Sequence, residues 1–390
     1  MRIAIIGAGM GGLTTALALQ RMGFEPRVYE QADELIEVGA GLTLSPNATR
    51  VFRYLGLEER LRDVSVEPSH SAVRHYQTGE WLVSRERGPS VEAEYGAPYL
   101  QCHRADLHDT LLDNVAANDR DCVQLGHRFS SLEQDGGPAN IQFADGSSAE
   151  ADVVIGADGI RSEVRSSLFV EETPIFTGHV AWRGLVPVDS LSEVVTPDSG
   201  ISIGPQRLFT RYYVRRRELI NVVAFARMDG WEVESWSEHA GMDELLKVFE
   251  GWNSEVRMLL EAMPPELCFK WALFVREPMD NWTVGRATLL GDAAHPMLPF
   301  LGMGAATAVE DGLVIARCLE QSGDIDAALA SYQAERLPRT NFIMEESTRR
   351  VAQLQGDRPE TYDRAGERNE ESLGLFEYDA STVPLQAAVG

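Results

Sequence analysis

Positive charge is what the 390-residue chain has too little of: 35 lysines and arginines stand against 60 aspartates and glutamates, a formal net charge of −25. Binding nucleic acid depends on cationic neutralisation of phosphates, so no nucleic-acid partner is expected. Cysteine is scarce as well. Cys102, Cys122, Cys268 and Cys318 lie far apart, without the paired spacing that zinc, thiol redox work or a disulfide framework needs, so no metal is expected. No apolar run approaches the roughly 18 residues of a membrane span. The N-terminal apolar run passes into a glycine pattern rather than a cleavage site, so no membrane partner and a cytoplasmic location are expected. Low-complexity segments are absent too, and a content of 44% hydrophobic and 24% charged residues is ordinary for a folded enzyme. The length suits two domains, or one large α/β domain with insertions.

What is present is concentrated first in Ile3-Ala4-Ile5-Ile6-Gly7-Ala8-Gly9-Met10-Gly11-Gly12. Four apolar residues followed by glycines predict a short buried parallel strand, a tight turn and a helix. Gly7 permits the turn, Gly9 lets backbone amides approach a pyrophosphate, and Gly12 lets the helix pack close to its strand. Glu30, at the end of the next strand, can accept both ribose hydroxyls of an adenosine. Together these residues predict a dinucleotide site and leave open which dinucleotide it holds.

Further along, Gly41 lies among small residues leading to a short strand and a helix capped by Ser45 or Asn47. Ala72–Tyr76 and Trp81–Val83 read as a hairpin inserted between α/β units, and Arg104 opens a helix where it can reach a phosphate. The buried strand at 152–155 ends in Gly156-Ala157-Asp158-Gly159, which aims a carboxylate at the crevice where α/β ligands sit. From 173 to 274 alternation predicts an antiparallel sheet, with a helix near 242–262; Trp182, Trp231 and Trp236 are expected in its core. The α/β pattern returns at Gly291-Asp292-Ala293-Ala294-His295-Pro296. Long helices are expected at about 305–320 and 326–353, and from Gly356 an irregular tail anchored by Leu373, Leu375, Phe376 and Tyr378.

The glycine turn with Glu30, the Gly156–Gly159 strand end and the Gly291–Pro296 segment, in that order, resemble the class A flavoprotein aromatic hydroxylases, nearest to the salicylate hydroxylase and 6-hydroxynicotinate 3-monooxygenase types. The resemblance implies an α/β fold: a Rossmann-like FAD-binding domain over 1–72, 97–172 and 275–355, an antiparallel-sheet substrate domain over 73–96 and 173–274, and a C-terminal tail over 356–390. It implies FAD as resident cofactor and NADH or NADPH as transient electron donor. In that frame Gly7, Gly9 and Gly12 cradle the pyrophosphate, Glu30 and Gln31 serve the adenosine, and Gly41 and Arg104 contact the cofactor. Asp158 serves FAD and the nicotinamide donor, and Asp292 the ribityl chain or diphosphate. Gly302, Gly304 and Ala305 bring amides to the flavin pyrimidine edge, where a helix N-terminus stabilises negative charge.

The reaction so implied is hydroxylation of a small aromatic, phenolic or hydroxypyridine-like, by molecular oxygen through a flavin C4a-hydroperoxide. The cofactor supplies that chemistry; the protein supplies a dry pocket and orientation. Two positions depart from the family. Met303 stands where many members carry glutamine, and Phe300 where the nearest types often carry histidine. Phe300 cannot accept a proton, so Arg211, Tyr212 and Tyr213 on the central strand are the candidates for holding polar substituents, with Tyr213, Phe300 and Met303 nearest the chemistry. Two rival expectations stand beside this one: a flavin monooxygenase acting on a more apolar ring, and a flavin-binding interaction protein without turnover. A monomer and a homodimer are both compatible with the sequence.

Overall fold

The protein is described from a computed structural model, over residues 1–35, 40–169, 174–228, 241–362 and 366–385. Of the predicted 173–274 sheet region, residues 173 and 229–240, with Trp231 and Trp236, fall outside those ranges.

Ile3–Ile6 is one of the two central strands of a six-stranded sheet, in the order Thr283–Val284, Ala287–Leu289, Val153–Gly156, Ile3–Ile6, Arg27–Tyr29, Val123–Gln124. All pairings are parallel except that of the edge strand Thr283–Val284. Both faces of such a sheet must be covered, which is why Ile3–Ile6 and Val153–Gly156 are continuous apolar runs buried at every position. The helices Met10–Arg21, Arg104–Asn118 and Gly304–Gln321 pack around it. The parallel register brings Ile6 beside Gly156, so the glycine turn and the Asp158 turn leave the sheet at the same edge.

The second sheet has seven strands: Phe269–Val275, Ile175–Pro187, Leu219–Arg227, Arg207–Val214, Ser199–Gly204, His70–His75 and Trp81–Glu86. The hairpin of the last two is joined on through the one parallel pairing, Ser199–Gly204 with His70–His75. One face packs on the helices Met242–Val248 and Ser254–Ala262 around the buried Trp182. A single helix was expected over 242–262. The chain instead breaks at Gly251, whose φ is +79°, and Asn253 restarts it by accepting the Val256 amide at 3.2 Å.

A three-stranded sheet, Phe129–Glu133, Ala139–Phe143 and Ser148–Ala151, lies outside the elements expected from the sequence; its middle strand does alternate, burying Ala139, Ile141 and Phe143, while the outer two are short and largely exposed. The long helices run Gly304–Gln321 and Ile325–Leu354. Leu375 and Phe376 of the tail are buried, and the ring of Tyr378 lies under the guanidinium groups of Arg336 and Arg339. Among the described residues no helix is long and apolar enough to cross a membrane.

Candidate active site

Between the two sheets lies a cavity of about 510 Å³. Its first wall is the glycine turn. Gly7 has φ +107°, a region closed to most side chains, and a Cβ on Gly12 would sit 2.1 Å from the Gly7 carbonyl oxygen. At Gly9 a Cβ would meet nothing within 4 Å: that position opens on space. Gly9 is also the N-cap of Met10–Arg21 and offers no side-chain cap, so the first amides of the helix are free for an anion. Gly9, Met10 and Gly11 line the cavity.

Glu30 accepts the amides of Ala8 at 2.8 Å and Ala32 at 2.9 Å, which fixes its carboxylate against the glycine turn, with Gln31 exposed beside it. Gly7, Gly12, Glu30 and Gln31 stand outside the cavity lining.

A second helix start opens into the same space. Gly304–Gln321 begins from Met303 with no side-chain cap, and Gly302, Met303, Gly304 and Ala305 all line the cavity. Buried charge holds that helix in place. Asp311 accepts from Arg336 Nε at 2.7 Å, pairs with His295 Nε2 at 2.6 Å and takes the Gly291 amide at 3.0 Å. Glu310 takes Arg336, Arg339 and the Asn47 amide group. Burial works against both carboxylates, yet the surrounding cations keep both below the ordinary range, Asp311 at about 2. The Glu310-Asp311 pair therefore anchors the helix.

The Gly291 contact positions the turn that carries Asp292. This side chain is exposed to the cavity yet lies deep below the molecular surface, and that burial raises its carboxyl against the opposing influence of His295 and Arg104. Arg104 also lines the cavity, and its amide donates to the Ala40 carbonyl at 2.8 Å. Asp158 turns its carboxylate towards its own chain. Its carboxylate accepts from Ser162 Oγ at 2.5 Å and the Val164 amide at 3.1 Å, so it faces the start of the helix Glu163–Leu168; Ala157 and Gly159 line the cavity in its place. A strand-end carboxylate can turn towards the crevice or cap the next helix, and here it caps.

The antiparallel sheet forms the opposite wall, and strand alternation decides which candidates reach it. Leu208, Thr210 and Tyr212 face the cavity. Arg211 and Tyr213 face the other way, and both expectations for them are corrected. Arg211, 1% exposed, donates to Glu255 at 2.9 Å. Tyr213, 5% exposed, donates its hydroxyl to the Val195 carbonyl at 3.0 Å within the second core. Tyr212 stands in a polar row across the sheet: it pairs with Ser199, Ser199 with Ser71, and Ser71 with Arg85, all four lining the cavity. Burial pushes the Tyr212 phenol far above its ordinary value, so it stays a donor.

Apolar residues lie beyond that row. Phe300 packs its ring 5.1 Å from Phe225 and 6.2 Å from His179. Met303 takes a weak hydrogen bond from Ser45 Oγ at 3.8 Å. Gly41 lies between the two walls: its amide donates to Asn221 at 2.7 Å, and a Cβ there would come 2.5 Å from the Tyr212 ring.

Lining residues that the sequence did not single out include Arg85, Arg87, Gln101, Arg183, Arg350 and Glu367. The hairpin did hold one signal: Val83, Arg85 and Arg87 share a parity, so arginines occupy inward positions of a strand.

Two unblocked helix N-termini, an open glycine and a buried carboxylate with an arginine beside it form a donor set that fits a dinucleotide whose far end is a ring able to carry negative charge. Comparison with known proteins agrees. Residues 1–347 match a family described as FAD binding domain. The chain is 38% identical to a 3-amino-4-hydroxybenzoate 2-monooxygenase of Streptomyces platensis, over 98% of this chain and 97% of that protein. It is 34% identical to a 6-hydroxynicotinate 3-monooxygenase of Pseudomonas fluorescens, over 98% and 96%. Among solved structures, Klebsiella pneumoniae HpxO complexed with FAD and uric acid superposes with a TM-score of 0.85 at 27% identity, covering 97% of this chain and 95% of that one. A salicylate hydroxylase substrate complex gives 0.82 at 25% identity, covering 99% of each.

Proposed function

This chain belongs to the class A flavoprotein aromatic hydroxylases, the family of the FAD binding domain, and we propose that its cavity hydroxylates a small phenolic or hydroxypyridine-like ring held against Tyr212. Membership makes it an FAD-dependent monooxygenase of aromatic substrates, with NAD(P)H as the donor typical of the family. FAD, when bound, supplies hydride acceptance and the activation of oxygen.

The chain's own residues do the rest. The amides at Gly9 to Gly11 take the pyrophosphate, Glu30 with Gln31 the adenosine, Arg104 and Asp292 the middle of the cofactor. The amides from Gly302 to Ala305 take the pyrimidine edge of the flavin, stabilising negative charge there. Tyr212, held protonated, donates its hydroxyl to an oxygen on the ring and favours the anionic, electron-rich form of a phenol. Phe300, Phe225 and Leu298 exclude water from the ring.

The observation that carries this reading is that the uncapped start of Gly304–Gln321 and the glycine turn open into one cavity, across from the sheet face bearing Tyr212. The relatives named above act on a hydroxylated benzoate and a hydroxynicotinate, which supports an oxygenated ring. A second reading, a ring without the phenolic hydroxyl, is favoured by Phe300, since no histidine lines the cavity among the described residues.

The test is consumption of NADH and NADPH in the presence of oxygen with hydroxybenzoates, hydroxypyridines and polycyclic phenols, products being read by mass. Ring-stimulated oxidation with a gain of one oxygen is expected. A protein that stays colourless after refolding with FAD, or whose NAD(P)H oxidation ignores every ring, refutes the proposal.

A further inference from the structure

Three arginines line one side of the cavity. Arg85 and Arg87 come from the edge hairpin and Arg350 from the last turns of Ile325–Leu354; their side chains are 7%, 3% and 5% exposed. Burying three guanidinium groups beside an apolar cavity requires counter-charge, and the C-terminal tail provides it. Glu367, with a side chain 2% exposed, accepts from Arg350 at 2.5 Å, pairs with Arg85 and takes the Tyr362 hydroxyl. Glu370 and Glu371 pair with Arg87 at 3.3 and 3.0 Å.

This is a built turn. Asn369 Oδ1 accepts the amides of Glu371 at 3.1 Å and Ser372 at 2.7 Å, and Ser372 Oγ donates to the Glu367 carbonyl at 2.9 Å. Glu367 and Glu370 themselves face the cavity. Three cations thus meet three anions, and the place where two guanidinium groups converge on one carboxylate is already filled.

We propose that Glu367 is a specificity-determining residue: it occupies the anion position of the Arg85–Arg350 subsite, so the enzyme takes rings whose substituent at that end is uncharged and discriminates against their carboxylated counterparts. A ring carboxylate entering there has to displace a carboxylate tethered by its own chain, at an effective concentration of about millimolar or above. It also leaves Glu367 buried without its cations. A hydroxyl or carboxamide meets neither obstacle, because it can donate to Glu367 and accept from an arginine.

The inference rests on the monooxygenase reading only in treating the ring as a substrate, and equilibrium binding tests it separately from turnover. Calorimetric titration of the flavin-loaded protein with 4-hydroxybenzamide and 4-hydroxybenzoate, equal in shape and different in charge, gives one affinity ratio. Wild type is expected to favour the amide at least tenfold. Glu367→Gln, which keeps the shape and removes the charge, is expected to shift that ratio towards the benzoate by tenfold or more. A Glu367→Gln protein with normal flavin content and melting temperature whose ratio stays within twofold of wild type overturns the proposal. Should that variant fail to fold, Arg350→Gln in its place decides: wild type preferring the benzoate, with the preference lost in Arg350→Gln, also overturns it, because the arginines would then be binding the ligand's charge. Ring-dependent NAD(P)H consumption, measured on the same wild-type protein, succeeds or fails independently of either ratio.

Discussion

Asp311→Asn isolates the charge that holds the helix Gly304–Gln321, whose start lines the cavity, in place. Asp311 is fully buried, and its two oxygens divide their work: one takes Arg336 Nε at 2.7 Å, the other the Gly291 amide at 3.0 Å and His295 at 2.6 Å. An asparagine has one accepting oxygen and one NH2 group. Whichever way it turns, it sets a donor against either Arg336 or Gly291. Net of its burial, which acts the other way, the surrounding cations displace the carboxyl from 3.8 to about 2, which corresponds to about 2 kcal/mol of preferential stabilisation of the carboxylate. Adding the cost of leaving a buried arginine short of a counter-ion brings the expected loss to roughly 3–5 kcal/mol. That is a large part of a folding free energy of about 5–15 kcal/mol. Because Gly291 begins the turn carrying Asp292 into the cavity, flavin retention falls with stability. Urea unfolding followed by tryptophan fluorescence, with flavin content measured after gel filtration, provides both readouts. A midpoint shift equivalent to less than about 1 kcal/mol with full flavin content refutes the assignment of this network as the anchor.

Acid should act on the same network: Asp311 is depressed in the folded state, so its contribution is complete above the 3.8 of an unperturbed aspartate and lost as pH falls towards about 2, and Glu310 shifts in the same direction. Unfolding free energy measured from pH 5 to pH 3 should fall, with a shallower slope in Asp311→Asn. Gly12→Ala places a methyl group 2.1 Å from the Gly7 carbonyl, so the purified variant should be colourless or insoluble; a yellow, stable protein contradicts the turn geometry. Tyr213→Phe should lose roughly 1 kcal/mol of stability, from the bond to Val195, with coupling of NAD(P)H oxidation to product unchanged. Tyr212→Phe should weaken ring binding or coupling by tenfold or more, and the opposite pattern in this pair refutes the assignment of sheet faces.

The Tyr212 and Tyr213 contrast shows where legibility in the sequence stops. The glycine turn could be read because its chemistry is local: Gly7, Gly9 and Gly12 act within one strand, turn and helix, and Glu30 follows one strand later. The Gly302–Ala305 segment could be read for the same reason, as the start of a helix. Arg211, Tyr212 and Tyr213 are equal candidates by residue type, although successive residues of a strand point to opposite faces and only one parity can reach a site. Knowing which parity requires the partner strands, and the pairing of Tyr212 with Ser199 and onward to Ser71 and Arg85 joins segments from opposite sides of the glycine-rich domain's own strands. Asp158 is ambiguous for a related reason, since a carboxylate after a strand can serve a ligand or the next helix, and its bonds to Ser162 and Val164 appear only once the helix is in place. The arginine side of the cavity lay furthest from view. Arg87 finds Glu371 across 284 positions of chain, so neither half of the pair has a local signature. The alternation that was available there, Val83 and Arg85 on one face of the strand and Arg87 just beyond it, all buried, sets burial against charge, and such a conflict points to a counter-charge elsewhere in the chain. Here that counter-charge comes from a polar tail whose only recognisable features were its apolar anchors, Leu375, Phe376 and Tyr378, which dock the segment that brings Glu367 to the cavity.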